Sequence, residues 1–256
     1  MIRAKGEGNM TPYINKFHSH VKEILDKIVA TQGENIGKAV ELMKRTYLEG
    51  HNLFAFGPGH AGMFAEEMFY RAGGLVIANP IFSAGVNCEA RPITMTTAFE
   101  QMPGYGEVVL ENSPVKMGDC LIIHSVAGRN PIVIEMARKA HEKGIRVIGV
   151  VNMDYASRVT SKDPSGKMLQ EVCEVVIDTC GDYGDAFLEI AGLEQKVGPT
   201  SSIIGSFIAN LLSIEMMVAL LEEGEMPPVF QSANVDGGGI YNQNLMERYK
   251  ERIFYL

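Results

Sequence analysis

Five short apolar runs punctuate this sequence: NLFAF (52–56), LVIA (75–78), DCLIIHS (119–125), IRVIGVV (145–151) and CEVVID (173–178), with segments of helical spacing between them. A strand that is apolar at every residue is covered on both faces, and strands that alternate with helices join in parallel through crossover connections. The alternation predicts an α/β fold, a three-layer αβα sandwich on a doubly wound, mainly parallel sheet of about five strands. With 256 residues, 46% of them hydrophobic, the chain can close one full core. No repeat, low-complexity tract or compositional break marks a second domain. Residues 1–9, polar and glycine-bearing before a second Met, read as a flexible leader, and 10–256 as a single domain.

Ahead of the first run, Met10, Ile14, Phe17, Val21, Ile24, Leu25 and Ile28 form one helical stripe, and Ile36, Val40, Met43 and Tyr47 a second that closes at Gly50. Thr31 with Glu34 has the spacing of a capping box between them. After CEVVID, the stretch Cys180 to Gly198 shows little strand character. A long helix is expected after Pro199 to about Glu223, then an irregular loop, MPPVFQSANVDGGGIYNQ, and a last short helix through Tyr249. In that loop Asn234 and Asp236 are polar candidates, and Gly237 to Gly239 would let it fold over a site.

Charge narrows the function classes. Lys and Arg number 23 against 31 Asp and Glu, and a net charge of −8 argues against a sequence-independent grip on nucleic acid or on an anionic membrane. The longest apolar stretch, Ile203 to Leu221, is broken by Ser206, Asn210, Ser213 and Glu215, so no membrane span is expected. Cys88, Cys120, Cys173 and Cys180 lack C-x-x-C spacing and histidine neighbours, which suits a reduced, cytoplasmic protein without a metal site. The 15 methionines read as core filler. No cofactor is indicated: a dinucleotide reading fails because no acidic residue ends LVIANP to hold a ribose.

In open parallel sheets ligands lie beyond the carboxyl ends of the strands, and three such places are unusual here. Gly57-Pro58-Gly59-His60-Ala61-Gly62 is a tight turn before a helix. Ser125-Val126-Ala127-Gly128-Arg129-Asn130-Pro131 is a polar loop before another, with Asn130 placed to cap it. Pro199-Thr200-Ser201-Ser202 opens the long helix with three hydroxyls where one would cap it. Helix starts present free N–H groups, so three of them together could hold one dianion, such as a phosphate, without a cluster of basic residues.

FGPGHAG, DCLIIHSVAGRNP and PTSS together resemble the sugar isomerase (SIS) domain, the phosphosugar-binding fold, over roughly residues 30–221. AEEMFYRAGG and VFQSANVDGG further resemble an uncharacterised bacterial group of SIS proteins labelled phosphosugar or phosphoheptose isomerases. The resemblance implies a sugar phosphate as partner, a homodimer or homotetramer, and phosphate contacts from Ser125, Gly128, Asn130, Thr200, Ser201 and Ser202, with backbone from Gly57, Gly59 and Ala61. Ala61 and Ala127 stand where that family usually carries serine. Each removes a donor worth about 1.5–3 kcal/mol to a charged group, which His60 or Arg129 would offset with charge.

Aldose–ketose isomerisation needs a base that moves a proton between adjacent carbons. The resemblance makes Glu67 the expected base, with Glu66 beside it and His60 as a third candidate. Glu67 follows His60 by seven residues, about 10 Å along a helix and close to the length of a phosphosugar. Two further residues interrupt apolar surroundings. Glu215, in the long helix, calls for a salt bridge, and His124, at a strand end, reads as a satisfied core histidine. The expected function is a cytoplasmic aldose–ketose phosphosugar isomerase working through an enediol. The alternatives are a non-catalytic phosphosugar-binding sensor, or an amino-sugar phosphate lyase or etherase.

Overall fold

The computed structural model describes residues 12–256, so the expected leader over 1–9 and Met10 of the first stripe lie outside the described residues. Helices α1 (Pro12–Thr31) and α2 (Gly33–Leu48) lead into β1 (Leu53–Phe56). β2 (Ala78–Pro80), β3 (Cys120–Ser125), β4 (Arg146–Val151) and β5 (Val175–Asp178) complete a fully parallel sheet in the order β2-β1-β3-β4-β5. Leu53 lies opposite both Ala78 and Cys120, and Ser125 opposite Val151.

Strand alternation feeds two cores. Leu53, Ala55, Cys120, Ile122, Ile148 and Val150 pack with α1, α2, α3 (Met63–Met68) and α8 (Ser201–Glu222). Phe54, Phe56, Leu121, Ile123, Val147 and Val151 pack against α5 (Tyr105–Glu111) and α6 (Pro131–Glu142) on the other face. The expected αβα sandwich is what these two clusters build. Two further short helices, α4 (Thr94–Glu100) and α7 (Met153–Ser157), follow β2 and β4, and α9 (Gly238–Arg248) lies near the end of the chain.

Several local expectations change. Thr31 does not cap α2: it ends α1, where its hydroxyl donates to the Lys27 carbonyl, and Glu34 pairs with Lys38 instead. LVIA is buried but enters the sheet only at Ala78, because the chain before it pairs with the tail. Leu75 bridges Val229 in antiparallel sense, and Gly73 N–H donates to the Phe230 carbonyl. The stretch after β5 holds an antiparallel pair, β6 (Ala186–Leu188) with β7 (Val197–Pro199).

The glycine run of the tail is the start of α9 rather than a hinge, with Gly238 packed so closely that a Cβ there would lie 2.1 Å from the Ser232 carbonyl oxygen. By length and composition α8 could cross a bilayer, contrary to the expectation from its polar interruptions. In the fold Ile204, Ile208, Leu212, Met216 and Leu220 face the core, while Ile203, Ile214, Val218 and Leu221 remain exposed. Glu215 is exposed and makes no salt bridge among the described residues, so the face that carries it is not buried in this chain.

The end of the chain lies along β2. Asn79 accepts the Phe254 N–H at 2.8 Å and donates to the Arg252 carbonyl, and the Tyr255 hydroxyl donates to the Val76 carbonyl.

Candidate functional site

Strand order reverses between β1 and β3, and the carboxyl ends of these neighbours diverge into separate loops, which is where an open α/β sheet forms its ligand crevice. A cavity of about 500 Å³ opens there. All three sequence-marked loops reach it: His60 and Ala61 from the first, Ser125, Ala127, Arg129 and Asn130 from the second, and Ser201 and Ser202 from the third.

The first loop is a 3-10 turn over Gly59–Gly62. It closes so tightly on Gly57 that a Cβ there would lie 2.3 Å from the Ala61 carbonyl oxygen, which makes Gly57 a packing residue behind the wall and not a lining one. Gly59 has φ +57° and passes close to Glu100, whose Oε1 would sit 3.2 Å from a Cβ at Gly59. Gly57, Gly59 and Gly62 carry the full G-x-G-x-x-G spacing, but β2 ends Ala-Asn-Pro with no acidic residue to accept a ribose. His60 is exposed at the rim, its Nδ1 3.8 Å from the Cys88 sulfur.

In the second loop the Ser125 hydroxyl oxygen accepts the Gly128 N–H at 3.2 Å, which leaves its own hydrogen free to donate into the cavity. Gly128 turns inward, against Val151 and Gln170. Asn130 departs from the capping role expected of it. It stands at the start of α6 without capping it, and its amide donates to Glu100 Oε2 at 2.8 Å. Arg129 lines the cavity with its Nε buried and without a hydrogen-bond partner among the described residues.

The third loop is already occupied. Asp185 accepts the N–H groups of Thr200 and Ser201 at 3.1 and 2.8 Å and the Ser201 hydroxyl at 2.8 Å, so a carboxylate of the protein sits at the start of α8 where a phosphate was expected. Thr200 lies behind the cavity wall, buried, with its hydroxyl unpartnered among the described residues.

Neither expected glutamate lines the cavity. Glu66 is exposed, and Glu67 forms an ion pair with Arg71 while accepting the Asn210 amide of α8 at 2.6 Å. The tight 3-10 entry and the brevity of α3 turn the glutamates away from the strand ends, so distance counted along one helix from His60 does not describe their position. Asn234 and Asp236 are exposed and also lie outside the cavity.

The carboxylates that do reach it are Glu100 and Asp185, with the Tyr155 ring on a further wall. Burial pushes the Glu100 carboxyl above its ordinary value, and the Asn130 hydrogen bond and the Lys162 charge oppose that rise. His124, beneath the first loop, places Nδ1 3.1 Å from the Ala61 carbonyl oxygen, while its Nε2 is buried without a partner. It is therefore only half satisfied, and burial lowers its pKa to about 4, keeping the ring neutral at neutral pH.

Residues 16–152 match the profile of the SIS domain, more than half of the chain. This chain belongs to the SIS domain family. Close relatives of this SIS protein are UPF0309 proteins: one from Shouchella clausii is 46% identical over 244 residues, spanning 95% of this chain and 99% of that protein. Another, from Oceanobacillus iheyensis, is 41% identical over the same shares of the two chains. Among solved structures the SIS fold here is similar to phosphoheptose isomerase GmhA from Neisseria gonorrhoeae, with TM-score 0.52 and 18% identity over 82% of this chain and 97% of that one. A phosphoheptose isomerase from Francisella tularensis superposes with TM-score 0.51 and 15% identity over 80% and 100%. At these identities the likeness is one of fold.

Proposed function

We propose that this SIS protein binds a sugar phosphate in the cavity between β1 and β3 and isomerises it between aldose and ketose forms through an enediol. The observation that carries the reading is the composition of the cavity wall. An uncapped helix start, the Ser125 and Ser202 hydroxyls and the Arg129 guanidinium suit a phosphate and its sugar, and the half-buried Glu100 carboxylate stands beside them. Family membership supports the substrate class, as do the names of the two phosphoheptose isomerases of similar fold.

Four free thiols suit a cytoplasmic setting, and the exposed apolar stripe of α8 suits a homodimer formed by the single domain. A sensor without catalysis is the second reading, favoured by Ala61 and Ala127 in the wall and by Asp185 at the α8 start.

The test is proton NMR in heavy water with pentose, hexose, heptose and amino-sugar phosphates. Loss of the signal of the proton next to the carbonyl, with interconversion, is the expected result. Line broadening of a ligand without exchange would favour the sensor.

A further inference from the structure

Building on the isomerase reading, we propose that Glu100 is the group that carries the proton between the two sugar carbons, and that Asn130 positions it. Among the carboxylates and histidines, five others compete for the role, and their geometry disfavours each. Glu66 is exposed and Glu67 is held by Arg71 and Asn210, both away from the cavity. Asp185 has both oxygens engaged by donors at the start of α8. His60 is exposed at the rim, and His124 is sealed beneath the first loop.

Glu100 is the last residue of α4, which delivers it to the cavity wall beside the turn after β1. Its Oε2 takes the Asn130 amide, and its Oε1 receives no hydrogen bond from the described residues. That oxygen stands beside Gly59, where a larger residue would crowd it. Asn130 serves this contact at the expense of its own helix. A side chain that could cap α6 orients a carboxylate instead.

The chemistry suits a carboxyl in this setting. Burial makes Glu100 a better proton acceptor than an exposed glutamate, while the Asn130 amide and the Lys162 charge keep the ionised form accessible. The other charged or titratable groups around it are Cys88, which senses its charge, and His60, Arg129, Tyr155 and Asp185 around the same cavity.

In the step itself the carboxylate takes the proton from C2 of an open-chain aldose phosphate. The C–H electron pair forms the C1–C2 double bond, and the carbonyl pair moves onto O1, which takes a proton from water. O2 then releases its proton to water as the carbonyl re-forms at C2, and the double-bond pair takes the proton back from Glu100 at C1. Nothing is oxidised or reduced overall, and no co-reactant is needed.

The decisive experiment follows exchange of the C2 proton in heavy water, using the full chain and pentose, hexose and heptose phosphates, across a pH series. Glu100→Gln is expected to slow exchange by about 10²- to 10⁴-fold while the melting temperature and inorganic phosphate binding stay near those of the parent. Lys162→Gln, outside the cavity, is expected to move the acid limb of the rate to higher pH, since a positive charge that favours the ionised carboxylate is gone. Asn130→Ala is expected to move it the same way. A purely structural role for Glu100 would leave that limb in place, so the Lys162 variant decides the matter even if Glu100→Gln folds poorly. Exchange that persists in Glu100→Gln with an unchanged pH profile overturns the assignment alone. Absence of exchange in the parent with every sugar phosphate overturns the isomerase reading and the assignment with it.

Discussion

The starts of α6 and α8 both open onto the cavity, and both are supplied with short polar side chains. At α8 the Asp185 carboxylate takes two backbone amides and a hydroxyl, whereas at α6 no side chain caps the helix because Asn130 is turned toward Glu100. One helix start thus carries its anion from within the chain, and the other has no side-chain acceptor among the described residues. A helix start signals affinity for negative charge, but whether that affinity serves a ligand depends on what the rest of the chain brings to it.

Removing the internal anion tests this contrast most severely. Asp185→Ala leaves two amides and a hydroxyl without their charged acceptor and is expected to lower stability by about 3 kcal/mol in anion-poor buffer. Inorganic phosphate is then expected to raise the melting temperature more than it does in the parent protein. An equal response of the two proteins would show that the α8 start does not bind free anions.

His124 lies under the comparison, with one ring nitrogen on the first-loop carbonyl of Ala61 and its Cε1 3.0 Å from where a Cβ on Gly205 of α8 would stand. Its folded-state pKa of about 4 lies below the ordinary 6.5, so the unfolded chain takes up the proton first as pH falls. This residue therefore costs nothing above about pH 6.5, and up to about 3 kcal/mol of stability is lost as the pH falls from there to 4. Chemical denaturation of His124→Gln along that range is expected to show a flatter profile. A profile as steep as the parent's would assign the acid sensitivity to other groups.

Smaller effects sharpen the α6 side. Ser125→Ala removes a free hydroxyl donor of that loop and is expected to weaken inorganic phosphate binding by about tenfold in calorimetry. The reverse change, Ala127→Ser, adds a hydroxyl to the cavity wall and is expected to tighten binding by about fivefold, near 1 kcal/mol. If Ala127→Ser has no effect while Ser125→Ala does, phosphate sits nearer the end of β3 than the start of α6.

The sheet was legible because β1 and the middles of β3 and β4 are runs of apolar residues, which burial on both faces demands, and β5 carries a shorter apolar run although only its Ile177 is fully buried. β2 was displaced because Leu75 and its neighbours satisfy their backbone with residues 228–230, a pairing that no local pattern announces. β6 and β7 were missed because strands of three residues are too short for alternation to show. The three loops that reach the cavity were marked by glycine and hydroxyl chemistry next to strand ends, but its two carboxylates were not. Glu100 lies in a segment without periodicity, and Asp185 between a polar loop and a short strand, so only the folded chain brings them to Gly59 and Ser201. For Glu67 the spacing from His60 assumes one continuous helix, and the chain builds a 3-10 turn followed by a separate short helix there.

The strip formed by Arg252, Phe254 and Tyr255 lies beside β2, the outermost strand on its side of the sheet. An outer strand is a template onto which another molecule can add its own backbone, and short, covered edges are how folded proteins resist growing into fibrils. A chain cut back to residue 248 would lose that cover along with the Arg252 and Phe254 partners of Asn79. Its characteristic failure would then be self-templated aggregation before any loss of the cavity.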